Sequence, residues 1–265
     1  MATVNPGPPR LRPFGVTRAA LGTLTAAALT VPAEVALRGL TFRNRAYLPF
    51  AFHRGLARAL GIQIVTHGQP ARRQHVLYVA NHLSWADIPV LGARIRAAFV
   101  AKSEVGGWAV VGWFASFART VYVARERRQT AGAQKNAIAE RLLAGESIIL
   151  FPEGTNSDGV DILPFKSALF SAVADVPGLL VQPVTIAYTR VNGMPVTRRI
   201  LPDLAWIGDT ALAPHALAFA RLGRVRAEIL FHEPLRPEDF TDRKALARHC
   251  EQVVAQGYRK LMREG

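Results

Sequence analysis

A single cysteine, Cys250, occurs among the 265 residues, which excludes an intrachain disulfide framework and any multi-cysteine metal site. Such usage fits a reducing compartment. Lysine is scarce as well: of 33 basic residues, five are lysine and 28 are arginine. No glycine-rich loop ends in Gly-Lys-Ser/Thr, no Gly-x-Ser-x-Gly elbow is present, and no His-Glu-x-x-His pair occurs. The familiar signatures of phosphate-loop nucleotide binding, serine hydrolysis and zinc proteolysis are therefore all missing, and no metal site is expected. Internal repeats and low-complexity tracts are absent after a proline-rich opening at 6–13.

What is present is a chain able to bury a large core. Half of the residues are hydrophobic and 20% are charged, which excludes intrinsic disorder, collagen-like and coiled-coil architectures. Acidic residues number 19, leaving a net charge of +14 and pointing to an anionic partner, either nucleic acid or an acidic membrane surface. Arginine-rich, alanine-rich usage is also what a GC-rich genome produces, so the arginine count alone carries little function.

The charge is unevenly placed. Residues 1–60 hold eight arginines and one acid, Glu34, a net +7. Between them lies an uncharged stretch at 19–33, which as a helix would be about 22 Å long against a hydrocarbon core of about 30 Å. Extension to residue 37 nearly reaches spanning length but takes in Pro32 and Glu34. Arginines on both sides give no orientation, so embedding in one leaflet and spanning are both open. A second stretch, 47–60, sets Phe50, Phe52, Leu56 and Leu60 beside Arg54 and Arg58, the pattern of an amphipathic interfacial helix. A cleaved signal peptide and a buried pair of soluble helices are the competing readings.

From residue 61 onward, short apolar runs alternate with helical stretches. Strands are expected at 62–66, 76–80, 98–101, 121–123, 148–151, 181–187 and 226–231, and helices at 85–94, 108–117, 130–143, 167–174, 214–222 and 237–262. This is the pattern of an α/β fold: a single domain, 61–265, with a mixed, largely parallel sheet flanked by helices. A membrane-associated helical extension, 1–60, precedes it.

Two polar clusters follow apolar strands, where α/β sheets keep their ligands. The first is Asn81-His82-Leu83-Ser84-Trp85-Ala86-Asp87. Ser84 is placed to cap the following helix, His82 lies in the turn and Asp87 in the first helical turn. On a continuous helix, five positions separate two side chains by about 140°, so the turn must bring His82 and Asp87 together. A carboxylate bonded to one ring nitrogen fixes the tautomer and leaves the other nitrogen as a base. The second cluster is Phe151-Pro152-Glu153-Gly154-Thr155, where Gly154 allows close backbone approach and Glu153 and Thr155 can bond hydroxyls. Alone, either cluster also reads as an ordinary strand-end turn. The other six histidines are scattered structural residues, and Cys250 reads as inert packing.

Together the clusters resemble the glycerolipid acyltransferase family, whose bacterial members typically acylate 1-acyl-glycerol-3-phosphate. Lys102-Ser103-Glu104-Val105 is similar to the family's second block, Thr120–Arg125 to the strand ending in a phosphate-binding arginine, and Val181-Gln182-Pro183-Val184 to its fourth block. The resemblance covers about residues 61–188. It implies that His82 is the base and Asp87 its orienting partner, and that Glu153, Gly154 and Thr155 bind the acceptor head. Lys102, Arg125, Arg119 and Lys166 would hold its phosphate. The family's second block often carries proline at the position of Ala109 and glycine at that of Arg119. FPEGT is commonly followed by an arginine that holds phosphate, and here that position is Asn156. A branch of the family acylating lyso-ornithine lipid is the alternative within the enzyme class.

The reaction implied is transfer of a fatty acyl group from acyl-CoA or acyl carrier protein to a lipid hydroxyl, giving phosphatidic acid for phospholipid biosynthesis. No cofactor is implied beyond that thioester co-substrate. Backbone N–H groups at the start of the Ser84 helix are candidate donors to the oxyanion. Because the donors are cytoplasmic and the acceptor is a membrane lipid, the expected place is the cytoplasmic face of the inner membrane. A basic nucleic-acid-binding protein is the remote alternative, but the arginines crowd an apolar N-terminus rather than an aromatic-lined stripe, so no nucleic-acid partner is expected. A catalytically dead lipid-binding relative is disfavoured by the joint presence of His82, Asp87 and Glu153.

Overall fold

A computed structural model describes residues 14–36, 47–71, 75–102, 121–123, 131–208 and 210–265. Two N-terminal helices, α1 (Phe14–Ala36) and α2 (Tyr47–Ala59), lead into β1 (Ile62–His67) and β2 (Val76–Ala80). A short helix α3 (Asp87–Gly92), strands β3 (Ala98–Lys102) and β4 (Val121–Val123), helix α4 (Ala131–Leu143) and strand β5 (Ile148–Leu150) follow. A 3₁₀ segment (Ser167–Asp175) precedes the long strand β6 (Leu180–Val191) and its hairpin partner β7 (Met194–Pro195). The chain closes with α5 (Leu201–Leu204), α6 (Leu212–Arg221), β8 (Val225–Phe231), a 3₁₀ turn (Pro237–Asp239) and α7 (Arg243–Glu264).

Among the described residues these strands form one eight-stranded sheet in the order β1-β8-β6-β2-β5-β3-β4, with β7 paired to β6. All neighbours are parallel except β6 with β8 and β6 with β7. The expected mixed, largely parallel α/β domain is what forms.

Strand β2, VLYVA, is buried at every position, as a central strand covered on both faces requires. Its alternation divides the core: Val76, Tyr78 and Ala80 face one cluster, with Phe99, Ile149, Ile186 and Phe219. Leu77 and Val79 face the other, with Leu142 of α4, Phe170, and Leu246, Cys250 and Val254 of α7. Cys250 is the inert packing residue expected, its thiol pushed up to about 12 by burial.

Three expected elements form differently, two of them for identifiable reasons. Residues 167–175 are 3₁₀ rather than α, and the buried pair Phe170 and Val173, three apart, lies on one face of a three-residue turn. The expected helix 237–262 is split, because the Asp242 side chain accepts from the Ala245 N–H and starts α7 there. The first expected helix, 85–94, shrinks to α3. The expected helix 108–117 lies outside the described residues.

Helices α1 and α2 pack together through small residues. A Cβ on Gly22 would sit 2.5 Å from the Ala59 Cβ, and one on Gly55 would sit 2.9 Å from the Ala26 Cβ. Arg18 donates to the Ala59 carbonyl at the end of α2 and to the Gly223 carbonyl before β8, both at 3.1 Å, fastening α1 to the sheet. The outer side of α1 exposes Leu21, Leu24 and Leu29, each about two-thirds accessible or more. Among the described residues no helix is long and apolar enough to cross a membrane.

Candidate active site

Strand β2 delivers the site. Just past it, Asn81 is fully buried and makes a reciprocal amide pair with Ile186 of β6, donating to its carbonyl and accepting from its N–H, each at 2.9 Å. This pins the position from which His82 departs.

The His82 ring donates from Nδ1 to Asp87 Oδ2 at 2.8 Å, and Asp87 is fully buried. The turn therefore does what a continuous helix could not. The same Oδ2 also accepts the N–H groups of Leu83 (2.7 Å) and Ser84 (2.9 Å), while Oδ1 accepts the Tyr188 hydroxyl at 2.7 Å. An ionised carboxylate is acceptor-only, so Nδ1 carries the ring proton and Nε2 presents its lone pair. Among the described residues Nε2 has no protein partner, and the His82 side chain retains 18% exposure.

This arrangement corrects one expectation and narrows another. Ser84 does not cap the helix through its side chain; its Oγ is buried without a partner among the described residues, the residue before α3 is Ala86 with no side-chain cap, and Asp87 instead ties the turn by accepting the Leu83 and Ser84 N–H groups. The N–H groups of Leu83 and Ser84 are occupied by Asp87, and those of Asp87 and Ile88 donate to the Ser84 and Trp85 carbonyls, which leaves Trp85 and Ala86 as the candidate oxyanion donors at this helix start.

The second cluster meets the first directly. Phe151 stacks on the His82 ring, with centroids 4.0 Å apart and planes 13° from parallel. Glu153 is buried, and its carboxylate accepts the His82 N–H at 2.9 Å through Oε1 and the Leu163 N–H at 3.1 Å through Oε2. Ser157 N–H donates to the His82 carbonyl at 2.8 Å, so the backbone of the base is held from both sides. Gly154 takes the left-handed conformation, φ +75°, that turns FPEGT sharply at this point. Glu153 thus braces His82 and the 163 loop through two backbone bonds. Gly154 is buried, whereas Thr155 and the Lys166 side chain are exposed. The backbone of Lys102 closes β3. Its side chain, Arg119 and Arg125 lie outside the described residues.

Asn81 stood in the first polar cluster without a role, and Tyr188 and Ser157 were not legible as site residues. Tyr188 is 101 positions from Asp87, and only the β6–β2 pairing carries it there. Burial, then the charge of Asp87, pushes its hydroxyl well above 10, so it remains a donor.

Relatives share this chain over most of its length. An acyltransferase family model matches residues 61–187. A lyso-ornithine lipid O-acyltransferase of Brucella abortus is 47% identical over 213 residues, covering 78% of this chain and 80% of the relative. The chain belongs to the acyltransferase family. A second lyso-ornithine lipid O-acyltransferase, from Rhizobium meliloti, is 39% identical and covers 88% of this chain and 80% of its own. A 1-acyl-sn-glycerol-3-phosphate acyltransferase of Neisseria meningitidis is 35% identical over 61% of this chain and 63% of its own. The crystal structure of the 1-acyl-sn-glycerophosphate acyltransferase of Thermotoga maritima superposes with a TM-score of 0.65 at 25% identity, covering 93% of this chain and 97% of that one.

In this acyltransferase the brace itself has a pH signature. Burial pushes the Glu153 carboxyl up to about 8; Asp87 and Asp161 add to the rise, and the two backbone donors oppose it. A carboxyl raised from 4.5 to about 8 binds a proton on folding throughout that window. Its contribution to stability is full below pH 4.5 and is lost as pH rises through 8, up to about 5 kcal/mol at roughly 1.4 kcal/mol per pH unit. Denaturant titrations from pH 5 to 9 are expected to show native stability falling with pH. In Glu153→Gln the part due to this group disappears; an unchanged slope in that variant refutes the assignment.

Proposed function

We propose that this acyltransferase moves a fatty acyl group from a thioester, acyl carrier protein or acyl-CoA, to the free hydroxyl of lyso-ornithine lipid. The observation that carries the acceptor is the agreement between its more similar relatives, named for that substrate, and Asn156. Where the family commonly follows FPEGT with a phosphate-binding arginine, this chain has an amide. Its Nδ2 is buried without a partner among the described residues. Ornithine brings a carboxylate and an ammonium but no phosphate, so an amide donor suits it better than it suits a phosphate dianion.

His82 Nε2 takes the proton of the acceptor hydroxyl as that oxygen attacks the thioester carbonyl. The tetrahedral intermediate expels the thiolate, the C–S bond breaks as the ester C–O bond remains, and the imidazolium returns its proton to sulfur. Asp87 holds the ring and stabilises its charged form. The acceptor oxygen is itself the nucleophile, so no covalent acyl-enzyme is required. Gly154 and Thr155 are the acceptor contacts the family resemblance implies, and Lys166, Lys102, Arg119 and Arg125 supply positive charge for an anionic head group.

The lipid acceptor places the enzyme at a bilayer, on the cytoplasmic side where both thioester carriers are made. The exposed Leu21, Leu24 and Leu29 of α1, with the exposed Arg54 and Arg58 of α2, are the surface suited to that contact. The second reading, acylation of 1-acyl-glycerol-3-phosphate, is favoured by the Neisseria relative and by those four basic residues.

The test is direct competition. Full-length protein is offered lyso-ornithine lipid and 1-acyl-glycerol-3-phosphate, each with acyl carrier protein and CoA thioesters. Diacylated ornithine lipid is the expected main product. Product from the phosphate acceptor alone overturns the proposal in favour of the second reading.

A further inference from the structure

Away from the dyad, three arginines converge at a corner of the sheet. The register sets Gln63 of β1 beside Arg226 of β8, and Arg226 opposite Arg190 of β6. A slip in pairing between Tyr188 and Arg190 is what aligns the two arginines. Like charges directly opposite on neighbouring strands destabilise a sheet unless something of opposite sign lies between them. Arg224, just ahead of β8, adds a third guanidinium. Together with Asn192 and Gly193 these residues line a cavity of about 550 Å³ with no carboxylate in its wall.

The walls are held in place. Asn192, at the hairpin with φ 52°, accepts the Arg224 N–H at 3.0 Å and donates to the Leu222 carbonyl at 2.6 Å. Arg190 donates to the Gly193 carbonyl at 3.0 Å. The Glu228 carboxylate sits 3.0 Å from Arg226 Nε and is already shared with the Thr189 hydroxyl and the His67 ring. Among the described residues, neither Arg190 nor Arg224 has a carboxylate partner. Strand β6 runs on past the end of β2, so this corner lies toward the end of the sheet that carries His82.

We infer that this corner is a binding site for a phosphate-type anion, distinct from the catalytic dyad. Planar guanidinium forks match phosphate oxygens two at a time, and a tetrahedral dianion offers enough oxygens to engage all three arginines and the flanking amides. The phosphate belongs either to the head group of an acidic membrane lipid or to a soluble molecule such as the nucleotide part of a thioester donor.

Binding rather than turnover tests this, so the outcome stands apart from the acceptor assigned above. Full-length native protein, Arg190→Gln/Arg224→Gln and a charge-matched control at exposed positions, Arg236→Gln/Arg243→Gln, are compared. Inorganic pyrophosphate is titrated calorimetrically, and phosphatidylglycerol vesicles in phosphatidylcholine are tested by flotation. The pocket variant is expected to lose about tenfold or more in affinity while the control changes little. Loss confined to pyrophosphate identifies a soluble source, and loss on vesicles that pyrophosphate competes away identifies a head group. Should the glutamine variant fail to fold, Arg190→Lys/Arg224→Lys keeps the charge without the fork and is expected to bind several-fold more weakly. Equal losses in pocket and control variants, or no binding of either probe by the native chain, overturn the site.

Discussion

An Asp87→Asn protein is expected to fold and to transfer acyl groups about 10²–10⁴-fold more slowly, the usual worth of a positioned acid–base group whose charged form is no longer stabilised. The amide is nearly isosteric, and its oxygen can replace Oδ2 as acceptor for His82 Nδ1–H and the Leu83 and Ser84 N–H groups. Its NH₂ then faces Tyr188, whose oxygen can accept as well as donate. What disappears is the buried negative charge that stabilises the imidazolium, so kcat falls while acceptor KM changes little. Asp87→Ala is expected to behave differently: with the carboxylate gone, two buried N–H groups and a buried phenol lose their acceptor, and stability drops as well. Steady-state kinetics alongside denaturant titration separates the two effects. A folded Asp87→Asn enzyme of native rate rejects the role given to the dyad.

The second large effect belongs to the base. His82→Ala is expected to lower kcat by about 10²–10⁴-fold, the usual worth of a positioned proton acceptor. The protein tolerates the change because the backbone clamp does not use the ring: Glu153 still accepts the N–H of residue 82 and Ser157 still donates to its carbonyl. Asp87 keeps its other donors, so no buried charge is orphaned. The stack on Phe151 is lost, which leaves a small gap beside that ring. Combining His82→Ala with Asp87→Asn should cost little more in rate than His82→Ala alone, because residues that act as a unit are not additive. A double variant far slower than His82→Ala means that Asp87 acts on the reaction by another route.

The strands were largely legible because burial on both faces leaves a local mark. Runs such as 76–80 and 148–150 are apolar throughout, and the polar residues that follow them fall at the strand ends by simple adjacency. Helix limits were less legible where a single side chain decided them. The start of α7 depends on Asp242 accepting the Ala245 N–H, and the turn ahead of α3 is tied by Asp87 reaching back to Leu83 and Ser84. The role of Glu153 could not be read either. A carboxylate after a strand looks like a ligand for substrate until its two oxygens are found on backbone N–H groups 71 and 10 residues away.

From the residues alone came the α/β class, the pairing of a histidine turn with FPEGT, and through them the acyltransferase family, because each rests on neighbours within a few positions. Tertiary structure alone decided which groups surround those residues. It set Tyr188 against Asp87, turned Glu153 inward as a brace, fastened α1 through Arg18 and aligned Arg190 with Arg226. The physical reason is distance along the chain: sheet order and register bring together groups far apart in sequence, and no local pattern records which strand will be the neighbour. The opening scarcity of lysine and acid is likewise sharpened by the fold. Of the arginines that make up the charge, one is a structural clasp and three form a pocket, and this division is written in the contacts rather than in the count.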